Sequence, residues 1–351
     1  MKIWKRYLLG RIGKTFLFIL ACILAGYILV DLSINGFRFF SKGTTTFADI
    51  ALYYLRQFAM HLELFLPLSF LLAALKVLFD LNSHRELVAL QMAGLSKKKL
   101  LSPFFLFAGI LTLASYINSQ WFAPTAQEAV YAFRESHPKG KTKTKREHVF
   151  TLSLDDDSEL VYQNFDEKKK ELFDVFWIRS PDDIWHMKIL NFDSKPPQGR
   201  FADRLIRTKE KQFIKLESHE TIALPDLRWD EDAIVHKFVP FENRPISHLL
   251  VQACYDNADR QRISSHLHYK FALPLLPFLV IIGISPVSMR FARRHPTFLI
   301  TACSLFAFVS LMTVLDGMLI LGENLVLPSY IAIWSPIAAV FALTIRSFAK
   351  L

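Results

Sequence analysis

Cysteine is scarce in this chain, since its 351 residues include only three. Cys22 and Cys303 lie within apolar segments, and Cys254 lies in a polar one. Domains stabilised by disulfides carry several closely spaced cysteines, and zinc or redox motifs need cysteines in close pairs. The sequence therefore indicates no disulfide framework and no cysteine-based metal or redox site.

Several enzyme motifs are also missing. The pattern G-x-x-x-x-G-K-[ST] does not occur, so we expect the chain not to be its own ATPase. The patterns H-E-x-x-H, G-x-S-x-G and C-x-x-C are absent as well. His266 and His268 have no evident third ligand, and residues 155–157 lack the spaced ligands of a calcium loop. We expect neither a metal nor a cofactor.

Apolar residues make up 52% of the chain and gather in long blocks. About 20 apolar residues in a helix cross the hydrocarbon core of a membrane. Such blocks lie at residues 12–33, 58–81, 100–122, 266–289, 296–321 and 329–348. The first block is longer than the apolar region of a signal peptide, so we interpret it as a retained helix. The sequence predicts six transmembrane helices, three on each side of a polar stretch.

Basic residues occupy one set of short loops. They precede the first block, separate the second from the third and the fourth from the fifth, and follow the sixth. The loop between the fifth and sixth blocks carries Glu323 and neither Lys nor Arg. Because cytoplasmic loops collect Lys and Arg, both termini are predicted in the cytoplasm and the middle domain outside. The net charge of +10 then reflects topology, and we expect no nucleic-acid partner.

The polar stretch has the alternation that is typical of β-strands. Strands are predicted at residues 160–165 and 172–178 around a turn at 166–170, and further strands at 185–192, 201–208 and 212–223. Consecutive strands without intervening helices favour a sandwich, a jelly roll or an open barrel. The predicted domains are residues 1–123, 124–265 and 266–351.

A short amphipathic helix is predicted between the second and third blocks, at about residues 82–95. Asn82 or Ser83 would cap it, and a Ser83 cap would place Glu86 at the third helical position, as in a capping box. Gly94 can end the helix. Its apolar positions are Leu87, Leu90 and Met92. Such a helix lies on a membrane, docks into a partner or simply connects two spans.

The segment from Arg85 to Ser96 resembles the coupling helix of the LptF/LptG permease family. Further similarities follow in the same order along the chain: Arg6-Tyr7-Leu8, Leu66-Pro67-Leu68, Gln120-Trp121-Phe122-Ala123-Pro124, and His266-Leu267-His268-Tyr269-Lys270 with Pro274. The resemblance covers nearly the whole chain and includes the arrangement of three spans on each side of the middle domain.

This resemblance implies a polytopic α-helical protein of the inner membrane with six spans and an inserted periplasmic β-jellyroll domain. The family supplies the permease subunits of the ABC transporter that extracts lipopolysaccharide. The implied partners are a cytoplasmic ABC ATPase dimer, a second related permease, periplasmic jellyroll bridge proteins and lipopolysaccharide. The coupling helix would dock in the ATPase through Glu86, with Leu90 and Met92 as apolar contacts. Its other members are Arg85, Leu87 and Gly94.

Charged residues near the outer ends of the spans are candidates for contacting the lipid head group, because ionisable groups in membranes are costly. They are Asp31, Arg38, Lys42, Glu63, Lys270, Asp316 and Glu323. Arg38, Lys42 and Lys270 are the basic candidates for its phosphates. The alternative is that these long side chains reach the interface without binding substrate.

Two other function classes compete with transport. A membrane-embedded enzyme acting on envelope lipids would need a convergent set of acids, bases or metal ligands, and the sequence indicates none. A scaffold whose outer domain binds a partner is the third class. A charge reversal at Glu86 separates them, because it should disturb transport but not an enzyme's chemistry.

Overall fold

The chain forms two compact units, described here from a computed structural model. The helical unit comprises Met1–Gly140 and Phe241–Leu351, and the β unit comprises Lys141–Pro240. The structure describes residues 3–36, 46–136, 150–154, 158–166, 170–192, 196–207, 213–225, 227, 241, 244–254, 260–289 and 296–350. Residues 124–136 and 244–265, expected in the middle domain, thus belong to the helical unit.

Six stretches of helix are long and apolar enough to cross a membrane, which confirms the predicted number. They are Ile3–Asn35, Phe47–Ser83, Lys97–Gln127, Arg260–Ser288, Thr297–Glu323 and Ser329–Ala349. The described helices are α1 (Ile3–Asn35), α2 (Phe47–Ser83), α3 (Glu86–Met92), α4 (Lys97–Leu100), α5 (Ser102–Ile117), α6 (Ala123–Ser136), α7 (Ile246–Cys254), α8 (Arg260–Ala272), α9 (Leu276–Ser288), α10 (Thr297–Glu323) and α11 (Ser329–Ala349).

The third span continues past its predicted end because α5 joins α6 without a break. A π-helical turn at Asn118–Phe122 connects the two helices, and the Asn118 side chain donates to the Ala59 carbonyl of α2 over 2.8 Å. Val130 of α6 then packs with Tyr53 and Tyr54 of α2. These contacts explain why residues after 123 belong to the helical unit.

Buried apolar side chains from α1, α2, α5 and α9 form the main core of the helical unit. Near the end of α10 the helices approach closely at Gly322. A Cβ atom there would lie 2.8 Å from Ser265 Oγ of α8 and 3.4 Å from the Cβ of Ala332. Only a residue without a side chain therefore allows α10 this close to α8.

The β unit is one antiparallel sheet in which every strand except β3 follows the order of the chain. The order is β1-β2-β4-β5-β6-β7, and β3 pairs with β4. The described strands are β1 (Phe150–Ser153), β2 (Glu159–Tyr162), β3 (Asn164–Asp166), β4 (Glu171–Ser180), β5 (Asp183–Asn191), β6 (Gln198–Arg207) and β7 (Phe213–Ala223). The pairing of β3 with β4 confirms the predicted hairpin around residues 166–170.

Alternate residues of the central strands fill the core of the β unit. Trp177 and Trp185 are cross-strand partners, and both are buried. The Trp177 indole donates to Ser158 Oγ over 3.0 Å, which satisfies its buried N–H. Burial also raises the pKa of Tyr162 to about 12.

Ion pairs join the strands of the sheet on its exposed parts. Arg204 binds both carboxylate oxygens of Asp183 at 3.0 Å. Asp203 accepts from Lys215 at 2.7 Å and from Ser218 at 2.7 Å. The hydrogen bond from Lys215, followed by the one from Ser218, lowers the pKa of Asp203.

Candidate functional site on the helical unit

The short helix α3 lies between the second and third spans, as predicted, but it begins later. Arg85 precedes it with a φ of 57°, a left-handed conformation that turns the chain sharply. Glu86 is the first helical residue. A seven-residue helix is too short to be stable alone, so its position depends on contacts with the rest of the protein.

The predicted capping box at Ser83 and Glu86 is wrong. The long helix α2 continues through Ser83, so this residue belongs to the last turn of the preceding helix. Leu81 and Asn82 are buried, and burial holds this turn of α2 in place. The Arg85 side chain provides no capping hydrogen bond, and the Glu86 carboxylate turns towards α1.

Gly94 ends α3, as predicted. Its φ of 85° suits glycine, and its N–H donates to the Gln91 carbonyl over 2.9 Å. The Leu95 N–H donates to the Leu90 carbonyl over 3.2 Å, which completes a Schellman motif. Leu90 and Leu95 both pack against the main core. These contacts attach the C-terminal end of α3 to the spans.

Polar contacts fasten Glu86 to the first span. Arg11 Nη1 lies 3.1 Å from both Glu86 carboxylate oxygens, and the Tyr7 hydroxyl donates to Glu86 Oε2 over 3.0 Å. Arg11 also donates to the Tyr7 hydroxyl over 3.0 Å. We call this group of Tyr7, Arg11 and Glu86 the α1–α3 clamp. Asp80 of α2 lies beside it, 3.6 Å from Arg11 and 3.3 Å from Lys76.

The apolar residues of α3 divide between an inner and an outer face. Leu87 is 3% exposed and belongs to the main core, and Leu90 packs against that core. Met92 is 86% exposed. Of the two apolar residues expected to contact a partner, Met92 is therefore exposed and Leu90 is partly buried in this structure.

Sequence reasoning missed the partners of Glu86. Tyr7 and Arg11 are four residues apart on α1 and therefore share one helix face, which was the available signal. Nothing in the sequence connects that face to a residue 75 positions further along the chain. The contact arises only from the packing of α1 against α2 and α3.

Of the three basic residues expected to contact the lipid head group, the structure describes Lys270. Arg38 and Lys42 lie outside the described residues. Lys270 is 4% exposed, and its ammonium donates to the Arg244 carbonyl over 2.6 Å. It also lies close enough to the Glu63 carboxyl to interact with it electrostatically. The Lys270 side chain therefore faces the protein interior and not an open surface.

Further polar contacts surround Lys270. His266 Nε2 lies 2.7 Å from Glu323 Oε1, which joins α8 to the end of α10. The His266 ring stacks on the Phe241 ring with centroids 5.9 Å apart. The Arg244 guanidinium lies 4.1 Å from the centre of the Phe241 ring. We call Glu63, Arg244, His266, Lys270 and Glu323 the Lys270 cluster. Among the residues that the structure describes, no group of three or more His, Cys, Asp or Glu could hold a metal.

An apolar cavity of about 400 Å³ lies between α2, α9, α10 and α11. The Thr344 hydroxyl in its wall already donates to the Val340 carbonyl. Its lining also includes Leu71, Leu279, Gly283, Ile284, Cys303 and Phe308. Such a surface suits hydrocarbon and offers little to a polar ligand.

Comparison with protein families gives a match over nearly the whole chain. The family described as lipopolysaccharide export system permease LptF/LptG matches residues 6–350. The chain belongs to the LptF/LptG permease family. A search of curated proteins found no match. The family assignment confirms the resemblance predicted from the sequence, and the six spans with an inserted antiparallel sheet confirm the predicted fold class.

In this LptF/LptG permease, the two sites described above divide between different parts of the helical unit. The α1–α3 clamp lies at the connection of the second and third spans, with its outer face exposed. The Lys270 cluster joins α2 and α8 to the segment before α7 and to α10. The first lies beside the exposed outer face of α3, whereas the second is largely buried.

Proposed function

We propose that this permease is a non-catalytic membrane subunit of an ABC transporter that extracts lipopolysaccharide from the inner membrane. It would pass the lipid to a periplasmic bridge of jellyroll proteins. Its other partners would be a cytoplasmic ABC ATPase dimer and a second related permease. The observation that carries this proposal is the family match across residues 6–350.

The arrangement of basic residues supports a cytoplasmic position for α3. The clamp brings the base of α1 to α3, and Lys98 donates to the Ala349 carbonyl at the end of α11 over 3.0 Å. The start of α1, the connection that carries Lys97–Lys99 and the end of α11 with Arg346 therefore lie at one end of the helical unit. The positive-inside rule assigns this end to the cytoplasm.

The outer face of α3 supplies a docking surface of the expected kind. Met92 is exposed, and Arg85 and Ala89 are exposed beside it. Methionine adapts its shape to a partner's groove, and an arginine next to it can pair with a carboxylate. The packing of Leu87 and Leu90 against the core keeps the opposite face of α3 turned outward. An ATPase bound to that face could move α3 as a folded helix.

Two other surfaces support the proposal that the protein passes a lipid to a periplasmic bridge. The cavity of about 400 Å³ is lined by residues that suit acyl chains. In the β unit, β7 is the last strand of the described sheet, and Phe213, Ile214 and Leu216 on it are exposed. An exposed strand can extend into a partner sheet by adding main-chain hydrogen bonds.

Variants of α3 test the proposed coupling. We expect Glu86→Lys to abolish transport and Met92→Ala to weaken retention of the ATPase about tenfold, a typical cost for one well-packed contact. Leu343→Ala is the matched control, since Leu343 is 78% exposed and belongs to α11 and not to α3. Co-purification of the ATPase with each tagged variant measures retention. Wild-type retention and transport in both α3 variants would contradict the coupling role.

A further inference from the structure

The carboxylate of Glu86 is turned towards the first span, while its side chain stays partly exposed. Both of its oxygens accept hydrogen bonds from α1, one from Arg11 alone and the other from Arg11 and Tyr7. The Arg11 side chain is 22% exposed and that of Glu86 is 34% exposed. Partial burial strengthens such charge-assisted hydrogen bonds relative to fully solvated ones.

These contacts attach α3 to α1, in addition to its connection to α2 and the packing of Leu90 and Leu95 on the core. The chain itself ties α3 to α2 through His84 and Arg85, and the left-handed Arg85 makes this link a sharp turn. The clamp ties α3 to α1, and Leu87 packs in the same core as Leu8 of α1. Because the clamp also binds α3 to α1, movement of α3 is passed to α1 as well as to α2.

The balance of charge around the clamp makes Arg11 its central member. Arg11 lies between two carboxylates, Glu86 at 3.1 Å and Asp80 at 3.6 Å. Among the described residues, Lys76 pairs with Asp80 and not with Glu86. Reversal of the charge at Arg11 would therefore place three acidic groups together and release α3 from α1.

We propose that Tyr7 and Arg11 are positioning residues that hold the coupling helix on the first span through Glu86. Movement of α3 then reaches α1 as well as α2. This inference rests on the proposed function, because it extends the coupling route from the ATPase into the first span. It adds two residues of α1 whose role lies in transmission and not in binding the ATPase.

Hydrogen exchange on the purified chain without any ATPase tests the attachment. Arg11→Glu should speed exchange of the amides of α3 about tenfold, since loss of such a pair changes a local opening equilibrium by about one power of ten. Arg11→Glu with Glu86→Arg should restore slow exchange by rebuilding the pair in reverse. Arg6→Glu, the same change at an exposed position of α1, is the control and should have no effect. Unchanged exchange in Arg11→Glu would overturn the inference.

The assembled transporter tests transmission. Arg11→Glu should keep the ATPase bound but lower the lipid released per ATP hydrolysed by about tenfold or more. Arg11→Lys should retain part of this coupling, because a single ammonium can pair with Glu86 but cannot reproduce the guanidinium fork. An unchanged ratio of lipid to ATP in Arg11→Glu would overturn the inference. Failure of the wild-type chain to bind any ATPase would instead contradict the proposed function, and the exchange experiment would still decide the attachment.

Discussion

The helical unit contains two charged groups that differ in burial. The α1–α3 clamp is partly exposed, and the Lys270 cluster is largely buried. On α2, Asp80 borders the first and Glu63 belongs to the second, roughly 25 Å apart along a straight helix. Both groups join helices that are distant in sequence, but they do so under different dielectric conditions.

This difference indicates different roles. A buried charge must keep its partners, because removal of one partner leaves the other without solvation. A partly exposed pair can open at small cost, because water replaces the lost contacts. The Lys270 cluster is therefore suited to fix the helices that carry it, and the clamp is suited to a contact that responds to a partner protein.

The largest effect is expected from removal of the buried ammonium. Lys270→Met would leave the Arg244 carbonyl without this donor and Glu63 without its nearby cation. We expect a loss of about 3–5 kcal/mol in the free energy of unfolding, the usual cost of breaking a buried charged contact. Thermal unfolding of the detergent-solubilised chain measures the change.

A double variant sharpens this first prediction. Lys270→Met with Glu63→Gln should recover part of the loss, since it removes the carboxyl group that Lys270→Met leaves without its cation. A stability of Lys270→Met equal to that of the wild type would contradict the assigned role of the cluster.

A smaller loss is expected at the close approach of α10 and α8, beside the contact of His266 with Glu323. Gly322→Ala would place a Cβ atom 2.8 Å from Ser265 Oγ, so either this hydroxyl leaves its hydrogen bonds or α10 shifts outward. Overpacking of this kind costs about 1–3 kcal/mol. Gly317→Ala on the same helix is the matched control, because its Cβ would meet no atom within 4 Å. Equal unfolding temperatures for the two variants would contradict the close packing.

Removal of the clamp should change stability least within the helical unit. Arg11→Ala deletes contacts of a partly exposed pair, so we expect a loss of about 1 kcal/mol or less in the free energy of unfolding. Added salt should reduce the difference between wild type and variant, since ions screen exposed charges. A loss as large as that of Lys270→Met would remove the distinction between the two groups.

The stability of the β unit should also depend on pH through Asp203, a partly exposed carboxylate. The folded-state pKa of Asp203 is lowered by Lys215, so its stabilising contribution is present above the unfolded pKa of Asp. That contribution is lost as the pH falls through the lowered pKa. Asp203→Asn should therefore reduce the unfolding temperature slightly at pH 7, and this reduction should shrink as the pH falls through the lowered pKa. A difference that grows in acid would contradict this assignment.

The spans and strands were predictable because each depends on a local pattern of apolar residues. The apolar blocks fixed all six spans to within a few residues at most ends, and the turn at residues 166–170 fixed one hairpin. The prediction of a capping box was wrong because a local sequence pattern carries no information about packing in the core. Burial of Leu81 and Asn82 carries α2 through Ser83, which then cannot cap the next helix.

The candidate site was predictable in position but not in its contacts. The resemblance identified the segment around Glu86, and Gly94 ends its helix as expected. The pattern could not indicate that Leu90 packs inward, because the face of α3 that is buried depends on α1 and α2. For Lys270, a position near the end of a span favoured the interface, whereas a backbone carbonyl at 2.6 Å draws it inward.

Purification of the tagged chain from its native membranes in mild detergent tests the central claim most directly. Mass spectrometry would identify the proteins that accompany it. The account predicts a soluble ABC-type ATPase together with a second six-span permease. Recovery of the chain alone, under conditions that keep other ABC complexes intact, would contradict it.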